Sequence, residues 1–282
     1  MKQENTINTG NVLDHIQKLP SLPSIAIEIL GSFNNESLDV HTLANKIARD
    51  QAIVARVLRV ANSPFFGLSC QVGSVFEAVS VLGFNQLRGL VTAAAVIGAF
   101  PAQAKSFDWA AFWQHSIATA VCAQVLARHN RLNPETAFTA GLLHDVGKLV
   151  IGVYCPQASA HVHQFDKSSS IETLQEEQAV LGLDHAALGG EVAKRWNFPP
   201  AIREAIEFHH TQSAANPDKS LIDVIYIANL FAHALDNGHI REAEIAQLTS
   251  EAWTRLKLEQ AVLESLAEEA QRLYESAVVL IG

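Results

Sequence analysis

Apolar residues recur at spacings of three and four along almost the whole chain, and no run alternates apolar with polar residues for long enough to build a sheet. That periodicity commits the fold to the all-α class. In the first third it appears in Ile25, Ile29 and Leu30, in Leu43 and Ile47, and in Val54, Val57, Leu58 and Ala61. Asn34-Asn35 and Asn62-Ser63-Pro64 punctuate it, because proline cannot continue a helix and biases its predecessor away from the helical region. Further on, the pattern predicts helices near 109–129, 134–153, 171–181, 184–196, 200–211 and 219–236. A terminal amphipathic helix should follow, with Trp253, Leu256, Leu263, Leu266, Ala270, Leu273 and Tyr274 turned inward. The mixed stretch 101–108 (PAQAKSFD) reads as the division between a helical N-terminal part, 1–105, and a second helical part, 106–240. Residues 241–282 form the closing helix. With 49% apolar residues in 282, the chain can fill a substantial core.

Charge and hydropathy narrow the function classes. The longest apolar stretch, Leu90–Phe100, is interrupted by Thr92 and is too short for a membrane span, which needs about 20 residues. The first residues, MKQENTINTGNVLDHI, lack the apolar core of a secretory signal, so a cytoplasmic location without membrane attachment is expected. Cys70, Cys122 and Cys155 are odd in number and lack CxxC spacing, which suits reduced core thiols. The net charge of −9 divides into +1 for residues 1–105 and −10 for the remainder, the opposite of a nucleic-acid footprint. One shape argues the other way. HTLANKIARDQAIVARVLRVAN, 41–62, has the form of a helix-turn-helix, but Arg49, Arg56 and Arg59 make only a small basic patch.

Twelve histidines are the feature that composition leaves unexplained. His115 shares one helix side with Phe112, Thr119, Cys122 and Leu126, which predicts that it is buried. His144-Asp145 sits in GLLHDVGK, apolar on several sides, with Gly141 and Gly147 allowing a neighbour to approach closely. An unpaired carboxylate buried there costs several kcal/mol, so Asp145 must meet a metal, a cation or several donors. His185 heads the stripe of Leu188, Val192 and Trp196. His209 and His210 extend that of Ile202, Ala205 and Ile206, and Asn229 offers an amide oxygen from the middle of LIDVIYIANLFAHAL. Any one of these is explained by a satisfied core histidine. Five inward imidazoles beside one carboxylate instead form the nitrogen and oxygen donor set that a divalent cation takes. His161 and His163 point to different sides, and they are read as surface residues with His15, His41, His129, His233 and His239.

The series His115 in WQHS, His144-Asp145 in LLHDVGK, His185 in HAALGG and the pair His209-His210 resembles the HD superfamily of metal-dependent phosphohydrolases. The resemblance implies divalent metal at His115, His144 and Asp145, and phosphate or second-metal contact by Lys148, His185, His209 and His210. Asp145 and Lys148 would be the catalytic pair if the chain is an enzyme. Two departures matter. Where the superfamily brings a final Asp, this chain reads Ala228-Asn229, so an amide replaces an anion and Mn²⁺, Mg²⁺, Fe²⁺ or Zn²⁺ should be held weakly. After the His pair the chain reads TQSAANPDKS, without the Gly-Tyr-Pro signature of the cyclic-di-GMP phosphodiesterases.

The N-terminal text decides between branches. LPSLPSIAIEIL, IARDQAIVARVLRVANSPFFG and VGSVFEAVSVLGFNQLRGLV resemble the opening of an HDOD domain, the HD-related output domain of bacterial signalling proteins, and the resemblance runs over about residues 12–235. It implies a signal-transduction regulator that works by binding a signalling partner or a small phosphorylated ligand. The retained HDVGK keeps a second reading open, a phosphohydrolase acting on a nucleotide or another phosphate ester. Phe65 and Phe66 either anchor the turn after Pro64 against the core or contact a partner.

Overall fold

The structure, a computed structural model, describes residues 9–31, 40–62, 71–100, 107–162, 170–211, 220–236, 251–258 and 268. Phe65, Phe66 and Cys70 lie outside them. Every regular element among the described residues is a helix. In chain order these are α1 (Thr9–Gln17), α2 (Ser24–Gly31), α3 (Val40–Ile47), α4 (Gln51–Ala61), α5 (Val75–Leu82), α6 (Phe84–Ala99), α7 (Trp109–His129), α8 (Pro134–Leu143), α9 (Val146–Tyr154), α10 (Pro156–Val162), α11 (Ser170–Leu181), α12 (His185–Arg195), α13 (Pro200–Glu207), α14 (Ser220–Asp236) and α15 (Glu251–Arg255).

Local chemistry sets many of the starts. Asp108, Asn133 and Asp184 cap α7, α8 and α12 by accepting from the backbone N–H of Ala111, Thr136 and Ala187. Before α5, Ser74 accepts from the Glu77 N–H while the Glu77 carboxylate reaches back to the Gly73 N–H, so two otherwise orphaned donors are satisfied. Asn62 ends α4 and clasps Val72 from both sides, its amide donating to the Val72 carbonyl at 2.7 Å and accepting from its N–H at 2.6 Å. The end of α4 is thereby tied to the segment that leads into α5.

One hydrophobic cluster runs from Val12 to Leu258. α7 packs on α8 and α14, and α12 packs on α9 and α13. The N-terminal helices join through α6 against α8 and α1 against α9 and α12, where the Trp196 indole N–H donates to the Pro20 carbonyl at 3.0 Å. Pro134–Tyr154 has the length and hydropathy of a membrane span, yet 83% of its apolar window is buried inside the fold. It is the central core segment.

Three expectations about elements need correction. The predicted helix 134–153 is two helices, because Asp145 (φ −93°, ψ 14°) leaves the helical path and its carbonyl accepts from Lys148 N three residues on. α13 stops at Glu207, so His209 and His210 stand in the turn beyond it. The helix that carries Trp253 ends at Arg255, just before Lys257 takes a positive φ of 50°, so Trp253 and the later inward positions do not share one unbroken helix; those positions from Leu263 onward lie outside the described residues.

Candidate functional site: a carboxylate ringed by imidazoles

The break between α8 and α9 places Asp145 at the centre of the bundle, 2% exposed, with a side chain that caps no helix and is left to face its neighbours. Two glycines bring the surrounding backbone in. A Cβ on Gly141 would lie 2.8 Å from the Ala120 Cα, so α8 can sit close on α7 only without one. A Cβ on Gly147 would overlap the His185 carbonyl oxygen, so the start of α12 lies directly against the start of α9.

Four imidazoles and one ammonium converge on the carboxylate. On the Oδ2 side are His144 Nε2 at 3.3 Å, His115 Nε2 at 3.6 Å and Lys148 Nζ at 2.8 Å. On the Oδ1 side are His185 Nε2 at 3.2 Å and His209 Nε2 at 3.5 Å. His210 Nε2 then lies 2.8 Å from His185 Nε2. Two sets of donors fall within 4.8 Å of one another, His115 with His144 and Asp145, and His185 with His209 and His210. The sequence-predicted residues are therefore together, and they meet around the one carboxylate.

Backbone contacts fix how these rings are protonated. His144 Nδ1 donates to the Gly141 carbonyl and His209 Nδ1 to the Ile206 carbonyl, each at 2.7 Å. A carbonyl only accepts, so in the neutral ring Nε2 carries a bare lone pair. Burial holds His144 below its ordinary pKa and drives His209 down to about 4, so both rings are neutral at pH 7. Burial alone would raise the Asp145 carboxyl, but the Lys148 ammonium and the His185 ring outweigh it and hold the group well below the usual carboxylate range. Lone pair thus faces lone pair on both sides of an ionised acid. Among the described residues His144 Nε2, His209 Nε2 and Asp145 Oδ1 make no hydrogen bond. Three buried, unsatisfied acceptors aimed at common points are what a cation satisfies. The donor set fits a divalent metal.

Two residues of the site escaped the sequence reading. Glu177 on α11 is buried, and its Oε2 accepts from both the backbone N–H and the Nδ1–H of His185, each at 2.7 Å. Burial would lower the His185 pKa, but Glu177 and Asp145 together raise it to about 9. The signal was an acid on a buried stripe, between Thr173 and Leu181 at helical spacing. His233, assigned to the surface, instead packs its ring 4.4 Å from that of His115, and burial with the neighbouring His115 drives its pKa well down. It lies one turn beyond Asn229 on α14, which is the spacing that should have included it. His15 also leaves the surface set, since it stacks on Tyr154 at 4.8 Å. His41 and His129 are exposed as expected. Asn229 reaches the site as predicted, but its Oδ1 sits 2.9 Å from His115 Nε2 and so competes for that nitrogen.

The HDOD domain model matches residues 19–212, more than half of the chain. The chain belongs to the HDOD family. Its fold is shared with an HDOD domain protein of unknown function from Geobacter sulfurreducens, at 22% identity and a TM-score of 0.76 over 96% of this chain and 97% of that one. A candidate phosphohydrolase from Shewanella amazonensis SB2B is 30% identical, with a TM-score of 0.72 over 95% of this HDOD chain and 98% of its own. An uncharacterized protein of Treponema pallidum is 26% identical over 240 residues, 84% of this chain and 46% of that protein. Ribonuclease Y of Mycoplasma mycoides subsp. mycoides is 28% identical over 142 residues, 48% of this chain and 22% of that protein. This HDOD chain thus spans less than half the length of the curated relatives it matches.

Proposed function

We propose that this HDOD protein is a signalling module that acts by binding, with a transition-metal ion at the Asp145 centre and a phosphorylated small ligand or partner phosphoryl group docking on it. One observation carries the reading. The lone pairs of His144 and His209, fixed by backbone carbonyls, face the two oxygens of a buried, ionised Asp145. The residues that would hold the ion are His185, His209, His210 and Asp145 Oδ1 on one side, and His115, His144 and Oδ2 on the other. A set this rich in imidazole favours Zn²⁺, Fe²⁺ or Mn²⁺ over Mg²⁺ or Ca²⁺. Both seats have competitors in the metal-free protein: Lys148 on Oδ2 and Asn229 on His115 for one, and the His185–His210 contact for the imidazole triad of His185, His209 and His210.

Lys148, a quarter exposed, is the cation placed to meet a ligand phosphate while its Nζ stays anchored to Asp145. His210 and His233, half-buried, stand beside it at the rim of the centre. When bound, a divalent ion would supply positive charge for a phosphoryl oxygen and acidify a bound water. The same two-sided use of Asp145 favours a second reading, hydrolysis of a phosphate ester. A single ligating carboxylate, already offset by an ammonium, supports binding over turnover.

The test loads metal-free protein with Zn²⁺ or Mn²⁺ and measures ion binding, orthophosphate binding and release of nitrophenol from p-nitrophenyl phosphate and its bis ester. Stoichiometric ion, orthophosphate bound only by the loaded protein, and turnover no greater than that of Asp145→Ala are expected. Turnover abolished in Asp145→Ala would make the protein a hydrolase. Absence of ion binding would overturn both readings.

A further inference from the structure

His185 is gripped at two atoms by one carboxylate. Glu177, eight residues earlier on α11, reaches the first residue of α12, where a helix N-terminal N–H has no partner within its own helix. The same Oε2 atom accepts from that N–H and from the ring Nδ1–H, each at 2.7 Å. Both groups are buried, with 2% of each exposed, so water cannot substitute. The ring can turn about neither its backbone nor its own axis without losing one of these bonds. Its other nitrogen, Nε2, is thereby directed at Asp145 Oδ1 and His210, 3.2 and 2.8 Å away.

We infer that Glu177 is a positioning residue for the imidazole triad: it holds the Nδ1–H of His185 and presents Nε2, which gives up its own proton when the ion binds, as the ligating nitrogen. The inference rests on the ion-binding reading above. No such lock is needed at His144 and His209, whose Nδ1 protons are held by carbonyls of their own helices. His185 is the first residue of its helix and has no preceding turn to supply a carbonyl. A side chain from the neighbouring helix does so instead. An outer partner of this kind holds the orientation and basicity of a ligating imidazole, and its removal weakens metal binding about 10- to 100-fold.

The experiment titrates Zn²⁺ into the metal-free protein and reads the ring nitrogens of His185 by ¹⁵N NMR. In the wild type the loaded ring should keep its Nδ1 proton and show a metal-bound Nε2. Glu177→Leu should weaken Zn²⁺ at the triad about 10- to 100-fold and let His185 exchange between tautomers. Glu177→Gln keeps an acceptor oxygen in place, so it should retain the Nδ1–H signature and lose less. Glu177→Asp keeps the charge but withdraws the oxygen by one methylene, so it should weaken binding about 10-fold, and it stands in if the Leu variant does not fold. Wild-type affinity with an unchanged His185 signature in the Leu and Asp variants would overturn the role of Glu177 alone. A wild type whose His185, His209 and His210 do not respond to Zn²⁺ would overturn the ion-binding reading and, with it, this one.

Discussion

At the scale of single residues, Asn229 limits how tightly the centre holds an ion. It faces His115 Nε2 with a neutral oxygen where a carboxylate would add charge. Asn229→Asp should tighten Mn²⁺ or Zn²⁺ binding by about one to two orders of magnitude, measured by calorimetric titration. The same change buries a second anion, so the metal-free variant should melt below the wild type while its metal-induced rise in Tm is larger. The histidines also set a pH dependence in the metal-free state. His144, His209, His210 and His233 stay neutral in the fold below the ordinary value of 6.5, His209 down to about 4. The unfolded chain therefore binds more protons, and stability falls as pH drops from 6.5 towards 4. His185 runs the other way. Raised to about 9, its contribution is complete below pH 6.5 and is lost as pH climbs through 9. Calorimetry in chelator should find a maximum near neutrality with the steeper fall on the acid side, where four groups act against one. A flat Tm between pH 5 and 7 would contradict these assignments.

At the scale of elements, the periodicity of three and four made the helices legible almost to the residue: 109–129, 171–181 and 219–236 correspond to α7, α11 and α14. Hydrophobic pattern does not register a two-residue break inside an apolar run, so the turn at His144-Asp145 was unreadable although the site depends on it. Glycine spacing was the better guide. Gly147 lies where α9 meets the backbone of His185, and Gly147→Ala would force those segments apart. A cost of about 1 to 3 kcal/mol is expected from such overpacking. Metal affinity should fall with it, because His185 moves away from Asp145. Thermal melts and Zn²⁺ titration of the same variant check both. The buried side of α7 and α12 revealed His115 and His185, whereas Glu177 needed knowledge of which helix lies beside α12, and no one-dimensional pattern contains that.

At the scale of the whole molecule, α14 ties the centre to the C-terminal part of the chain. It carries Asn229 and His233 at the site and, nearer its start, Asp223, which is 1% exposed. Arg255 of α15 donates to both Asp223 oxygens at 2.7 Å, a two-pronged bond of the kind that resists rotation. Arg255→Ala should destabilise the protein by about 3 kcal/mol, because a buried carboxylate loses its guanidinium. Urea unfolding reads that loss, and no change would show the clasp to be ornamental. The HDOD resemblance was legible because its motifs are local strings. The convergence of α7, α9, α12 and α14 on one acid was foreseeable from the inward histidine stripes and the buried Asp145, and the resemblance gave those residues their order. Anomalous diffraction at the zinc edge from Zn²⁺-loaded crystals tests the convergence most directly. A peak about 2.0–2.2 Å from His209 Nε2, His185 Nε2 and Asp145 Oδ1 is predicted. Zinc found only on surface side chains, with Asp145 still paired to Lys148 and His185 alone, would contradict it.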